Sequence, residues 1–217
     1  MNYGLRLGRF LESAGCQVLN SVESYAKASD KLTSTLIFHQ HQLAVPRTAF
    51  AHSTLPSEFH LLEDQGPHVL KSLKGSQGFG VSWQNSRPQA QAQVDAYRTL
   101  RTSFLAQELI EESSGTDVRA FVINGEVKAC MQRRGPSGDL RSNLHQGGRA
   151  ERTTLSAEEK SLVVQASQSL GLFYAGVDFL RSSQGPVLLE ANPSPGFEGI
   201  TQVCEVDMAQ ELIQALL

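Results

Sequence analysis

The chain has 217 residues, of which 40% are hydrophobic, and a formal net charge of -3. That length suits one large or two small domains with a substantial core, and the charge excludes the dense basic surface that general nucleic-acid affinity needs. No run reaches the roughly 18 apolar residues of a membrane span. Met1-Asn2-Tyr3-Gly4 opens no secretion signal, and the scattered Cys16, Cys130 and Cys204 fit reduced, buried or half-buried thiols in a cytoplasmic protein with no zinc spacing.

In chain order, Leu5 to Ala14 reads as a helix closed by Gly15, and Gln17 to Leu19 as a short strand. Val22 to about His41 reads as largely helical, with Leu32, Leu36 and Ile37 at helical spacing, and Pro46 ends that region. Ser53 is a candidate N-cap for a helix through Leu62. His68 to Leu73 and Gly80 to Trp83 read as strands on either side of a glycine-rich turn, and Gln89 to Thr102 as a polar amphipathic helix. Phe104 to Ile110 and Val118 to Ile123 read as strands. Asn124-Gly125 is a type I′ hairpin signal with Glu126 to Arg133 returning. After a polar loop from Gly135 to Gly148, Ser156 starts a helix to about Leu170, with Glu158 and Glu159 where the helix dipole favours acids. Phe173 to Leu180 and Val187 to Ala191 read as a hairpin, and Val206 to Leu217 as a closing helix. Antiparallel hairpins with helices between them indicate an α+β fold rather than a doubly wound sheet.

Three segments carry chemistry. Lys71-Ser72-Leu73-Lys74-Gly75-Ser76-Gln77-Gly78-Phe79-Gly80 sets glycines as G-x-x-G-x-G between two strands. That is neither a dinucleotide fingerprint nor a P-loop, yet glycines let backbone N–H groups approach oxyanions and Lys71 adds charge. An ordinary hairpin turn with an incidental lysine has the same pattern. Glu190 and Asn192 are two apart on a strand and share a face, and Asp178 faces them if the hairpin pairs. Two carboxylates and an amide oxygen suit magnesium or manganese; solvated strand ends are the alternative. In the loop Gly138 to Arg149, Arg141 is placed to hold developing phosphate charge, unless it is a plain surface loop. His145 ranks low as a base, and there is no G-x-S-x-G nucleophile.

Taken in order, VLKSLKGSQGFGV, AQELIEESSGTDVRAFVINGEVKACMQRR, DLRSNLHQGG, GVDFL and VLLEANPSPGFEGI resemble the ATP-grasp superfamily, and within it the RimK-like ligases, which add glutamate to a ribosomal-protein C-terminus or related acceptors. The resemblance implies an ATP-grasp fold of two α+β subdomains clasping ATP. A smaller lid subdomain would span about residues 45–106 of an ATP-grasp domain at 29–217, and residues 1–28 would be the remnant of a preceding domain. It implies that Lys31 and Lys71 touch ATP phosphates under the turn Gly75, Ser76, Gln77, Gly78 and Gly80. Glu108 and Leu109 would sit at the adenine hinge, and Asp117 on the ribose side. Arg141, Ser142 and Asn143 would line the phosphate and acyl-transfer site, with Arg141 and Lys71 catalytic. Asp178, Glu190 and Asn192 would hold two Mg2+ or Mn2+ ions.

The implied reaction joins an amino acid, glutamate by resemblance, to a peptide, protein or small-molecule carboxylate through an acyl phosphate. Two departures bear on it. Leu109 stands where the family often has an aromatic residue, and Gln146 where a basic residue is usual. The shortened start keeps a second expectation open, a nucleotide-binding regulatory or partner subunit without ligase activity, and an open sheet edge there would favour homo-oligomers.

Overall fold

The computed structural model describes residues 3–51, 67–73, 80–84, 86–136 and 147–217. The expected helix at Ser53–Leu62 lies outside them, as do Gly75 to Gly78 and Arg141 to Asn143.

The chain opens with α1 (Tyr3–Ser13), α2 (Val22–Ser29) and α3 (Lys31–Gln40). The single helix expected over Val22–His41 is broken at Asp30. Its backbone is extended (ψ 109°) and its carboxylate accepts from Thr33 N, capping α3. The strand expected at Gln17–Leu19 is absent. Instead Asn20 turns inward, 3% exposed, and makes four hydrogen bonds. Its amide nitrogen donates to the carbonyls of Tyr174 and Pro193, and its oxygen accepts from the N–H groups of Phe173 and Tyr174.

Next come β1 (Thr48–Ala51), β2 (His68–Ser72), β3 (Val81–Gln84), α4 (Arg87–Thr99) and β4 (Phe104–Glu108), which form an antiparallel sheet in the order β1-β4-β2-β3. Strand β1 is an addition to the sequence reading. Leu70, Phe104 and Ala106 on one face pack under Val94 and Tyr97 of α4. The other face carries Val69, Lys71, Leu105 and Gln107 toward a cleft.

The second sheet uses β5 (Thr116–Ile123), β6 (Glu126–Arg134), β7 (Arg149–Arg152), β8 (Tyr174–Ser182) and β9 (Gly185–Asn192), in the order β7-β6-β5-β8-β9. Asn124 and Gly125, with φ of 48° and 77°, make the expected tight turn between β5 and β6. Helix α5 (Ala157–Ser169) begins in a capping box of Ser156 and Glu159. It covers one face, where Val118, Ala120, Val122, Val177, Phe179 and Leu188 form the main core. Phe121 and Ile123 on the opposite face pack under α6 (Glu198–Cys204) and α7 (Met208–Gln214). The single closing helix expected from Val206 is therefore two, the first beginning earlier. Between them Glu205 is left-handed (φ 56°) and Asp207 caps α7 through the N–H groups of Ala209 and Gln210. Of the thiols, Cys16, in the connection after α1, is exposed, against expectation.

Candidate functional site

The cleft between the two sheets has a volume of about 1110 Å3. A smaller open depression of about 440 Å3, lined by Trp83, Gln84, Gln89, Ala92 and Gln93, has no titratable lining. The chemistry therefore belongs to the cleft.

Its floor is built by strand register. Arg119 of β5 lies opposite Asp178 of β8, and Asp178 opposite Glu190 of β9. One transverse row thus carries a cation and two acids. Asp117 and Arg133 are paired next to it across β5 and β6. Asn192 lies opposite Gly176, two residues further along Glu190's face. A side chain at Gly176 would put Cβ 2.8 Å from Pro195, so the Pro193–Gly196 turn rests directly on the sheet. Strand β9 reaches this arrangement through a bulge. Phe179 pairs with Leu188 and Asp178 with Glu190, which leaves Leu189 as the extra residue. Leu188 faces the core while Leu189 and Glu190 both line the cleft.

The electrostatics follow. Asp178, 3% exposed, accepts from Arg119 Nε and Nη2 at 2.7 Å each and from Arg133 Nη2 at 2.7 Å. Arg133 also forks onto Asp117, at 2.7 Å from Nε and 2.6 Å from Nη2. Burial by itself would raise the Asp178 carboxyl, but the two guanidiniums hold it below the usual carboxylate range. Burial likewise opposes charge on Arg119 and Arg133, and their acidic partners more than offset it.

Glu190 differs. It is exposed to solvent within the cleft and accepts no hydrogen bond from the described residues. Enclosure first and Asp178 second raise its pKa, against Arg119, Lys71 and Lys31. Lys71, half-buried in the roof, is lowered chiefly by desolvation and also by Lys31, while Glu190 and Asp178 oppose the shift. A cleft with an under-compensated carboxylate, a neighbouring carboxylate and the Asn192 amide oxygen provides hard donors that fit a divalent cation. The Asn192 oxygen already accepts from Ser194 N at 2.9 Å, which orients it.

A RimK-like ATP-grasp domain model matches residues 28–216. The chain belongs to the RimK-like ATP-grasp family. ATP-dependent carboxylate–amine ligation is the activity class of this RimK-like ligase. It is 41% identical over 213 residues to a probable alpha-L-glutamate ligase of Maridesulfovibrio salexigens, covering 97% of this chain and 70% of that one. It is 42% identical over 212 residues to one of Thioalkalivibrio sulfidiphilus, with the same coverages of 97% and 70%. The fold is shared with the ATP-grasp ligase PsnB complexed with minimal precursor, Mg and ADP. There the TM-score is 0.76 at 23% identity, covering 98% of this chain and 65% of that one. It is also shared with D-alanine–D-alanine ligase from Bacillus anthracis, with a TM-score of 0.77 at 16% identity, covering 96% of this chain and 72% of that one.

In this RimK-like ligase the structure brings Lys31, Lys71, Glu108, Leu109, Asp117, Asp178, Glu190 and Asn192 to one cleft. Gly80 stands at the end of the roof hairpin with φ 75°, its carbonyl accepting from Ser72 N and the Tyr97 hydroxyl. At the expected hinge, the N–H groups of Glu108 and Leu109 already donate to the carbonyls of Arg47 and Pro67. The Glu108 carboxylate is taken by Arg47. These two N–H groups are therefore engaged within the protein. Asp117, expected on the ribose side, lines the cleft, and its carboxylate grips Arg133, because the register sets that guanidinium directly across from it.

Two charged residues of the cleft floor were missed from sequence, Arg119 and Arg133. A two-residue turn at Asn124-Gly125 without a bulge would set Asp117 opposite Gln132. The irregularity between Phe121 and Val122 moves the partner to Arg133.

Proposed function

We propose that the ligase extends a carboxylate-bearing acceptor, a peptide or protein C-terminus, with glutamate, using ATP bound in the cleft between the two sheets. The observation that carries the reading is Glu190. A carboxylate sits in the cleft beside a second one, without a hydrogen-bonded partner among the described residues, and faces Lys71 from the roof. Such a site asks for added positive charge together with the anion that brings it.

Lys71 and Lys31 would neutralise phosphate oxygens, with Arg119 and Arg133 as fixed positive charge on the floor. Asp178, Glu190 and Asn192 would hold the two divalent cations, Mg2+ or Mn2+, whose chemistry is to neutralise phosphate charge and orient the phosphates. The acceptor carboxylate attacks the γ-phosphorus, the bond to the β–γ bridging oxygen breaks and ADP departs. The glutamate amine then attacks the acyl carbon, and phosphate leaves as the amine sheds its proton. Positioning and charge neutralisation suffice for this chemistry, in keeping with a cleft that, among the described residues, is lined by carboxylates, lysines and arginines and by no histidine or cysteine. The β1–β4 sheet, with the glycine turn, would act as the lid. The acyl-transfer role of Arg141, Ser142 and Asn143 is part of the proposal and rests on the family resemblance.

The test is phosphate release from ATP with Mg2+, with and without glutamate and a peptide ending in glutamate. Release that needs both substrates, and falls at least about a hundredfold in Asp178→Asn, is the expected result. Release that ignores the peptide but responds to a small carboxylate would redirect the acceptor assignment. Mg2+-dependent nucleotide binding without release under any pair would defeat the proposal.

A further inference from the structure

The cation-binding carboxylate expected at Asp178 is already occupied by cations of the chain itself. Its Oδ1 accepts from Arg119 Nε, and its Oδ2 from Arg119 Nη2 and Arg133 Nη2, all at 2.7 Å. With roughly four lone-pair positions on an ionised carboxylate, three are used. The Arg133 side chain, 3% exposed, does not depend on Asp178 alone, since Asp117 takes both its Nε and its Nη2. Glu190, one strand further along the same row, has no such partner. The row therefore has a neutralised end and an open end, and Asp178 lies between them.

We propose that Arg119 and Arg133 are stand-ins for the divalent cation at Asp178. When a cation binds across Asp178 and Glu190, it displaces the Nη2 contacts of both arginines. Asp117 is the tether that keeps Arg133 in place while this happens. The freed N–H groups then face the cleft, where an anionic phosphate is their natural partner. Asp117 is a positioning residue, acting through Arg133 and not on the substrate. Cation and nucleotide phosphate thereby become linked, because each frees what the other needs.

This rests on the reading of the cleft as the nucleotide and cation site. The alternative is that the four side chains form a static ion cluster and the cation uses only lone pairs left unoccupied.

The test is direct binding on the full chain. Mn2+ affinity is followed by electron paramagnetic resonance without nucleotide, and ADP affinity by calorimetry with and without Mg2+. In Asp117→Asn, which keeps the shape, Arg133 loses its other anion and leans wholly on Asp178. Mn2+ affinity is expected to fall about tenfold, in the range of changes around metal ligands. In Arg133→Lys, which keeps the charge but cannot bridge two carboxylates, Mn2+ affinity is expected to rise severalfold. The gain in ADP affinity that Mg2+ brings should shrink at the same time.

Opposite signs in the two variants are what a static cluster does not produce. Unchanged Mn2+ affinity in both, or a fall in both, overturns the inference while leaving the cleft's function intact. Absence of Mn2+ and Mg2+-dependent ADP binding in the unaltered chain overturns both. Should Arg133→Lys fail to fold, Arg119→Lys with its more accessible side chain gives the same sign test.

Discussion

Glu190 and Asp178 are neighbours on one face and have opposite titration behaviour, because one is gripped by guanidiniums and the other is not. The raised Glu190 pKa means that the folded cation-free protein keeps a proton which the unfolded chain, near the ordinary value of 4.5, has already lost. Its contribution to stability is therefore present below that value and is lost as pH rises through the raised one. Glu190→Gln should remove that slope: urea midpoints of the cation-free variant should exceed those of the parent above this window and match them below it. Saturating Mg2+ should cancel the difference by stabilising the charged parent. A variant less stable than the parent at neutral pH without cation would contradict the assignment. The row that carries these acids was half legible in the sequence. The two-residue spacing of Glu190 and Asn192 gave their common face. The guanidiniums of Arg119 and Arg133 were not legible: the partner of Arg133 depends on a bulge that leaves no local signature, and the partner of Arg119 comes from a strand distant in sequence.

The elements themselves were mostly legible where local signals agree. The Asn124-Gly125 turn, the capping box at Ser156 and the β8–β9 hairpin each combine turn or cap chemistry with apolar periodicity. The reading failed where a tertiary partner decides. Gln17 to Leu19 has strand-like composition but no neighbouring strand, and β1 is a strand only because β4 lies beside it. Asn20 shows how far such a residue reaches: it ties the start of β8 to Pro193, just past the end of β9, and so holds together the two strands that carry Asp178, Glu190 and Asn192. Asn20→Ala leaves several buried backbone groups unpaired, at about 1–3 kcal/mol for each unsatisfied group. A loss of about 3 kcal/mol in chemical unfolding is expected, together with weaker Mg2+-dependent nucleotide binding in the folded fraction. A loss below about 0.5 kcal/mol would show that the clamp is dispensable.

At the scale of the molecule, a roof sheet carrying Lys71 faces a floor sheet carrying the acids, with helices on the outer side of each. The two-subdomain outline follows from the order of the motifs, but their closeness across the cleft does not, since Lys71 and Glu190 are far apart in sequence. A ligand that touches both sheets should stabilise them as one unit. ADP with Mg2+ at about a hundred times its dissociation constant should add about 2.7 kcal/mol, raising the melting temperature, and neither component alone should achieve this. Equal stabilisation by ADP without any divalent cation would argue against a cation shared between nucleotide and floor.

The bulge at Leu189 has a further consequence. Strand β9 is written in two frames, one before this residue and one after it. In the first, Leu188 points to the core; in the second, Glu190 and Asn192 point to the cleft. Leu189 is the punctuation between them. Removing it alone would make Leu188 and Glu190 consecutive, and consecutive residues of a regular strand fall on opposite faces, so Leu188 would stay in the core and the acid in the cleft. A point substitution there is absorbed, and the loss of that one codon should straighten the strand with cation binding and folding retained.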